Sequence, residues 1–209
     1  MDCVQTAESN KFFGGIMAKL YFRYGAMNSS KTANALMVKY NYEERSQKVI
    51  LLKPSTDSRD GLTTIKSRAG LSEECTVVSK SSNIFDIVTS CLREMGNVSC
   101  IIVDEAQFLT KQQVYELTCL VDQKNIPVIC YGLRTDFRGE LFEGSQWLLA
   151  WADTIEEVKT ICWCGKKAIM NGRFENGKIL KSGEQVLLGG NDKYISLCRQ
   201  HWTEGNIGL

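Results

Sequence analysis

Gly25-Ala26-Met27-Asn28-Ser29-Ser30-Lys31-Thr32 stands between an apolar-aromatic run, Lys19 to Tyr24, and a stretch with helical spacing, Lys31 to Tyr42. A strand that runs into a glycine, followed by a short turn and a lysine-hydroxyl pair at a helix start, is the phosphate-loop pattern. Its chemistry uses each part. Backbone N–H groups wrap a β-phosphate, and the helix N-terminus adds partial positive charge. Lys31 bridges β- and γ-oxygens, and Thr32 offers its hydroxyl to Mg2+. Ser30 departs from the pattern: a second glycine normally stands there, and a side chain restricts the backbone beside the phosphates. Taken alone, the octet also has a plainer reading, a Ser-Lys-Thr that merely begins a helix.

Further on, Val98 to Val103 is the most apolar strand in the chain and ends on Asp104-Glu105. In a phosphate-loop fold, an acid at this place holds Mg2+ directly or through water. Successive strand residues point to opposite faces, so the two acids take different work. Asp104 is assigned to the metal and Glu105 to the general base that takes the acceptor's proton. The donor set is then Gly25 to Thr32 with Asp104, Glu105, Ala106 and Gln107. The plainer reading is a solvated strand end. The same Asp104-Glu105-Ala106-Gln107 also resembles the acidic box of nucleic-acid motors. Such motors normally need a second nucleotide-binding-like domain, for which 209 residues leave no room. A non-catalytic nucleotide sensor, the other rival, has no use for a base at 105.

Around these motifs the chain alternates strand and helix. Val49 to Leu52, stopped by Pro54, and Cys75 to Val78 read as strands, and Ile84 to Met95 as a helix ended by Gly96. Thr110 and Gln113 form a capping-box signature for a helix ending near Asn125, and Ile126 to Tyr131 is the next strand. This predicts an α/β fold, a mainly parallel sheet flanked by helices, RecA-like in its phosphate loop. Ile155 to Ile161 is expected as a last strand, with a domain boundary near residue 161. The expected units are a leader over 1–16, a phosphate-loop nucleotide-binding domain over 17–161 and a small lobe over 162–209.

Composition narrows the partners. A net charge of +1 gives no electrostatic footprint for nucleic acid or an anionic membrane. No apolar run approaches the roughly 20 residues that span a bilayer. Residues 1–16 lack the basic start and apolar stretch of a secretory signal and read as a disordered leader, with Met17 opening the folded part. The expectation is a cytoplasmic protein. Most of the nine cysteines sit in apolar segments, as small buried hydrophobes do in a reducing compartment.

Cys162-Trp163-Cys164 and Cys198-Arg199-Gln200-His201 differ. Two close pairs of thiol and imidazole ligands lie in a Gly-rich segment too poor in core to hold itself together, and His201 is the only histidine. Tetrahedral Zn2+ fits that set, bound by Cys162, Cys164, Cys198 and His201 in a closed, structural site. The alternative is unmetallated thiols that pack the lobe.

In this order, the motifs resemble those of the thymidine kinases shared by bacteria and animals, especially their enterobacterial branch. The likeness runs from Met17 to about Trp202. It includes Met27-Asn28, Lys31-Thr32, Asp104-Glu105, Gln107-Phe108-Leu109, Tyr131 through Glu140, and Gly189-Gly190-Asn191-Asp192-Lys193-Tyr194. The resemblance implies transfer of the ATP γ-phosphate to the 5′-hydroxyl of thymidine or deoxyuridine, with Mg2+ accompanying ATP. It implies Glu105 as base and a thymine pocket of Met27, Phe108, Leu133 and Phe137. Tyr194 and the backbone of Leu187, Leu188, Gly189 and Gly190 would close over the base. It also implies Asp57 and Arg59 near the phosphates, a homotetramer, and feedback binding of thymidine triphosphate. The family's zinc positions fall on the same three cysteines and histidine.

Overall fold

The computed structural model describes residues 17–57, 61, 63–186 and 193–208. In chain order the elements are β1 (Leu20–Tyr24), α1 (Lys31–Glu43), β2 (Val49–Pro54), β3 (Thr64–Lys66), β4 (Ser72–Glu74), β5 (Thr76–Val78) and α2 (Ile84–Met95). Then come β6 (Cys100–Val103), a 3-10 turn (Ala106–Phe108), α3 (Lys111–Lys124), β7 (Val128–Gly132), α4 (Glu143–Trp151) and β8 (Thr154–Glu157). The lobe holds β9 (Thr160–Ile161), β10 (Lys167–Ala168), β11 (Met170–Glu175), β12 (Lys178–Leu180), β13 (Tyr194–Leu197) and α5 (Arg199–Glu204).

Six strands form one sheet in the order β5-β2-β6-β7-β1-β8, and every pairing in it is parallel. The central strands read as unbroken apolar runs because both faces are covered. Their alternate residues divide cleanly between two cores. Ile50, Leu52, Ile101, Val103, Val128 and Cys130 face α2, α3 and α4. Val49, Leu51, Cys100, Ile102, Ile129 and Tyr131 face α1 and Ile65 of β3. Each fully buried side chain of this kind contributes about 1.5–3 kcal/mol, so the sheet is the main source of stability.

Helix ends follow the local chemistry. Asn83 caps α2 by accepting from the Asp86 N–H at 3.0 Å. Thr110 and Gln113 form the expected capping box on α3. By contrast, Ser30 at the start of α1 makes no side-chain cap, which leaves that helix's first N–H groups for an anion.

Three features differ from the sequence reading. The β3–β4 hairpin and α4 were not expected. The last strand divides in two: Thr154–Glu157 pairs with β1, while Thr160–Ile161 pairs with β10 of the lobe. The chain thus leaves the main sheet between Glu157 and Thr160. The lobe itself is a three-stranded antiparallel sheet, β12-β11-β13, packed with α5 over a small core of Cys162, Ala168, Leu197, Cys198 and Ile207. No helix among the described residues is long and apolar enough to cross a membrane.

Candidate active site

The carboxyl ends of β1, β7 and β6 lie side by side, where ligands of open α/β sheets bind. Gly25 ends β1, and its N–H donates to the Gly132 carbonyl at 3.2 Å. A Cβ at Gly25 would lie 2.3 Å from the Val158 carbonyl oxygen and 2.5 Å from Ser29 Oγ, so only glycine fits. Asn28 and Ser30 both take the left-handed conformation, with φ of 61° and 60°. The position where a glycine is usual thus keeps a glycine's backbone while bearing a serine. The Lys31 ammonium is buried in the loop and donates to the Ala26 carbonyl at 2.8 Å, the Gly25 carbonyl at 3.2 Å and Ser29 Oγ at 3.1 Å.

Asp104, 3% exposed, follows β6, and its N–H donates to the Leu52 carbonyl at 3.0 Å. Burial, then the neighbouring Glu105 charge, pushes its carboxyl up to about 7, while a hydrogen bond with Thr32 and the charge of Lys31 hold it down. The pairing with Thr32 joins the two motifs in one place. Strand alternation would send Asp104 and Glu105 to opposite faces, but β6 ends at Val103 and Glu105 is left-handed, with φ 50° and ψ 36°. That turn brings both carboxylates to the wall of one cavity.

Gln107, 1% exposed, donates through Nε2 to Glu105 Oε2, and its Oε1 accepts from the Leu133 N–H at 3.0 Å. Both ends of its amide are engaged in holding Glu105 against β7. Gly132 makes room: a Cβ there would lie 2.8 Å from Gln107 Oε1 and 3.1 Å from its backbone nitrogen. Gly144 does the same beneath the turn, since a Cβ would lie 2.4 Å from the Ala106 carbonyl oxygen.

The cavity holds about 420 Å³, within the range of small-molecule sites. Its walls include Met27 through Thr32, Asp104, Glu105 and Leu133. The opposite rim is the hairpin turn, Ser67 to Gly70, with Lys53 and Asp57. Phe108, Phe137 and Tyr194 are not on its wall. Phe108 packs edge-on to Phe142, at 5.7 Å between centroids. Phe137 is buried beneath the Arg173 guanidinium, 3.8 Å from its ring centroid. Arg173 Nε donates to the Tyr194 hydroxyl at 2.8 Å. Leu187, Leu188, Gly189, Gly190 and Arg59 lie outside the described residues, as do residues 1–16.

Sequence reasoning passed over several of these residues. Lys53, 1% exposed, donates to the Gly61 carbonyl at 3.0 Å and the Thr64 carbonyl at 2.8 Å, and pairs with Asp57 at 3.7 Å. A lysine inside an all-buried strand was the available signal. Arg173, Asn171 and Ser196 lie in short lobe strands, and no local pattern separates them from solvent-facing polar residues.

In the lobe, one ligand atom each from Cys162, Cys164, Cys198 and His201 lies within 4.8 Å of the others. Cys162 Sγ is 3.4 Å from His201 Nδ1, and Trp163 stacks on the His201 ring at 4.3 Å. Burial raises the Cys162 thiol, yet hydrogen bonds from the Cys164 and Cys198 backbone and from His201 bring it down to about 6. No disulfide joins the described cysteines. Three thiols and an imidazole converging on one point, one thiol favoured as thiolate, fit a tetrahedral metal such as zinc.

Comparison with known proteins agrees with this geometry. The thymidine kinase family model matches residues 18–202. A thymidine kinase of Legionella pneumophila (strain Paris) is 52% identical over 193 residues, covering 92% of each chain. One from Haemophilus influenzae (strain Rd) is 49% identical over 189 residues, 90% of this chain and 97% of the relative. One from Escherichia coli K12 is 50% identical over 189 residues, 90% and 92% of the two. The chain belongs to the thymidine kinase family.

Proposed function

We propose that this kinase transfers the γ-phosphate of ATP to the 5′-hydroxyl of thymidine or deoxyuridine at the cavity between the phosphate loop and Leu133. The observation that carries the reading is the convergence of Lys31, Thr32, Asp104 and Glu105 on one cavity. In the ligand-free site the Lys31 ammonium donates to the loop's own carbonyls. On donor binding it transfers those hydrogen bonds to β- and γ-oxygens, and the uncapped N-terminus of α1 faces the same charge. Asp104 and the Thr32 hydroxyl are the residues that would hold Mg2+, which supplies charge neutralisation across the β- and γ-phosphates. Glu105 accepts the proton of the 5′-hydroxyl as that oxygen attacks phosphorus, and Gln107 aims its carboxylate. Leu133 and Met27 present apolar surface to the pyrimidine. Tyr194 with residues 187–190 would close over it.

The Cys162, Cys164, Cys198 and His201 cluster would hold zinc with all four positions filled, a structural role. The family likeness extends the reading to a homotetramer, to feedback by thymidine triphosphate spanning both subsites, and to a cytoplasmic setting. The absence of disulfides among the described cysteines suits that setting. A product assay with ATP across the natural nucleosides is the test. Thymidine and deoxyuridine monophosphates are expected; ATP hydrolysis stimulated by DNA, with no nucleoside monophosphate formed, would replace the reading with a motor.

A further inference from the structure

The lobe does more than approach the acceptor side: it grips the phosphate loop. Asn171 of β11 and Ser196 of β13 stand directly opposite each other in the antiparallel pairing. Cross-strand partners share a face of the sheet, and here both side chains meet the backbone of one residue, Met27. Asn171 Oδ1 accepts from the Met27 N–H at 2.8 Å, and the Ser196 hydroxyl donates to the Met27 carbonyl. The other end of the Asn171 amide, Nδ2, donates to the Thr135 carbonyl at 2.8 Å. Thr135 lies two residues beyond Leu133, in the segment that leads to Phe137. One amide, 3% exposed, therefore ties the phosphate loop to the acceptor wall.

The geometry has two consequences. The Met27 N–H is already used, so the amides offered to phosphate begin after it, where Asn28 turns left-handed. And the two peptides that flank Met27, one held at its N–H and the other at its C=O, cannot rotate without orphaning buried polar groups. We propose that Asn171, seconded by Ser196, is a positioning residue that locks the backbone on both sides of Met27 and sets the separation of donor phosphates from acceptor hydroxyl. The inference rests on the proposed donor and acceptor subsites. In-line transfer is sensitive to such spacing, since a misplacement of about 1 Å is worth on the order of 100-fold in rate.

The test compares Asn171→Leu, Asn171→Asp and Ser196→Ala in the full chain, with Ile179→Val as a control that trims one methyl from a half-buried side chain packed on the lobe's core and leaves the lobe folded. Three readouts are taken: kcat with both KM values, Mg·ADP affinity by calorimetry without any acceptor, and melting temperature. Asn171→Leu should raise both KM values and the ADP dissociation constant roughly tenfold, the scale of lost buried hydrogen bonds, and lower kcat by about 10–100-fold. Asn171→Asp keeps an acceptor for the Met27 N–H and should retain more ADP affinity than Asn171→Leu while losing the link to Thr135. Ser196→Ala should shift the same parameters in the same direction by less. The control should lower the melting temperature alone. If Asn171→Leu folds and every parameter stays within about twofold of the parent chain, the proposal is overturned. If it does not fold, Ser196→Ala decides, and unchanged ADP affinity and KM values there overturn it equally. Because the ADP measurement involves no nucleoside, it reads the loop even if the acceptor assignment fails.

Discussion

Ser30 shows how much one residue can depart from a motif while keeping its geometry. It holds φ 60° and ψ 25°, a conformation that disfavours a side chain by roughly 1–2 kcal/mol. Glycine would relieve this but loses part of the gain to its greater freedom when unfolded. Ser30→Gly should therefore stabilise the chain by about 0.5 kcal/mol in urea titrations and bind ATP equally or more tightly. A clear loss of ATP affinity would mean that the serine makes a contact of its own. Glu105 is left-handed too, and its carboxylate is held by Gln107. Glu105→Gln is expected to keep both ligands bound while turnover falls roughly 10²–10⁴-fold; near-normal turnover would remove the residue from its role as base. Asp104 makes the pH prediction. Its folded pKa lies above the ordinary carboxylate value, at about 7, through burial and then Glu105. A raised carboxyl pKa means that the folded, ligand-free protein holds a proton that the unfolded chain releases. The contribution to stability is full below about pH 4 and is lost as pH rises through about 7. Melting curves of metal-free protein should fall across that window, and Asp104→Asn should flatten the fall. An Asn variant as pH-dependent as the parent chain would discount Asp104 as the cause.

At the scale of elements, what the sequence disclosed was what local physics decides. The loop octet, the α3 capping box and the apolar strand before Asp104 are each written in contiguous residues, and each formed where expected. The β3–β4 hairpin was not legible because Ser72–Glu74 is wholly exposed and carries no apolar alternation. Val158 hid the break between β8 and β9: its N–H continues the sheet by donating to the Tyr24 carbonyl, while the next pairing belongs to the lobe. Neither was the shared wall of Asp104 and Glu105 legible, because alternation is a rule for strands and the strand had already ended. The site's precision lies at such junctions, where glycines admit close approach. Gly132→Ala would push a methyl against Gln107 at 2.8 Å from Oε1 and 3.1 Å from a backbone nitrogen that cannot easily yield. It should lower stability by about 1–3 kcal/mol and, by displacing Gln107, reduce kcat more than either KM. Stability loss with unchanged kcat would show that Gln107 does not govern the aim of Glu105.

For the molecule as a whole, the question is what the lobe contributes to a reaction whose charged groups, Lys31, Asp104 and Glu105, all lie just beyond the carboxyl ends of the main sheet's strands. Its own core is small, built around two of the four clustered ligands, Cys162 and Cys198. So few apolar side chains give little independent stability, and a bound metal would supply folding free energy that burial does not. Some of the lobe's contacts with the rest of the chain reach both proposed substrate sites. Ser196, two residues before Cys198, and Asn171 hold Met27 in the phosphate loop. Trp202, next to His201, donates from Nε1 to the Phe137 carbonyl at 3.0 Å, and Arg173 packs over the Phe137 ring. Loosening the lobe should then be felt at donor and acceptor sites together. Cys198→Ser is expected to purify with far less zinc than the parent chain, to melt at a lower temperature and to show raised KM values for both ATP and thymidine. Elemental analysis of chelator-free protein, paired with kinetics on the same sample, is the check. Parent chain with less than about a tenth of a zinc per molecule and full activity would leave the four residues as packing. A zinc-free variant with both KM values unchanged would confine the metal to the lobe and break the coupling argued from Met27.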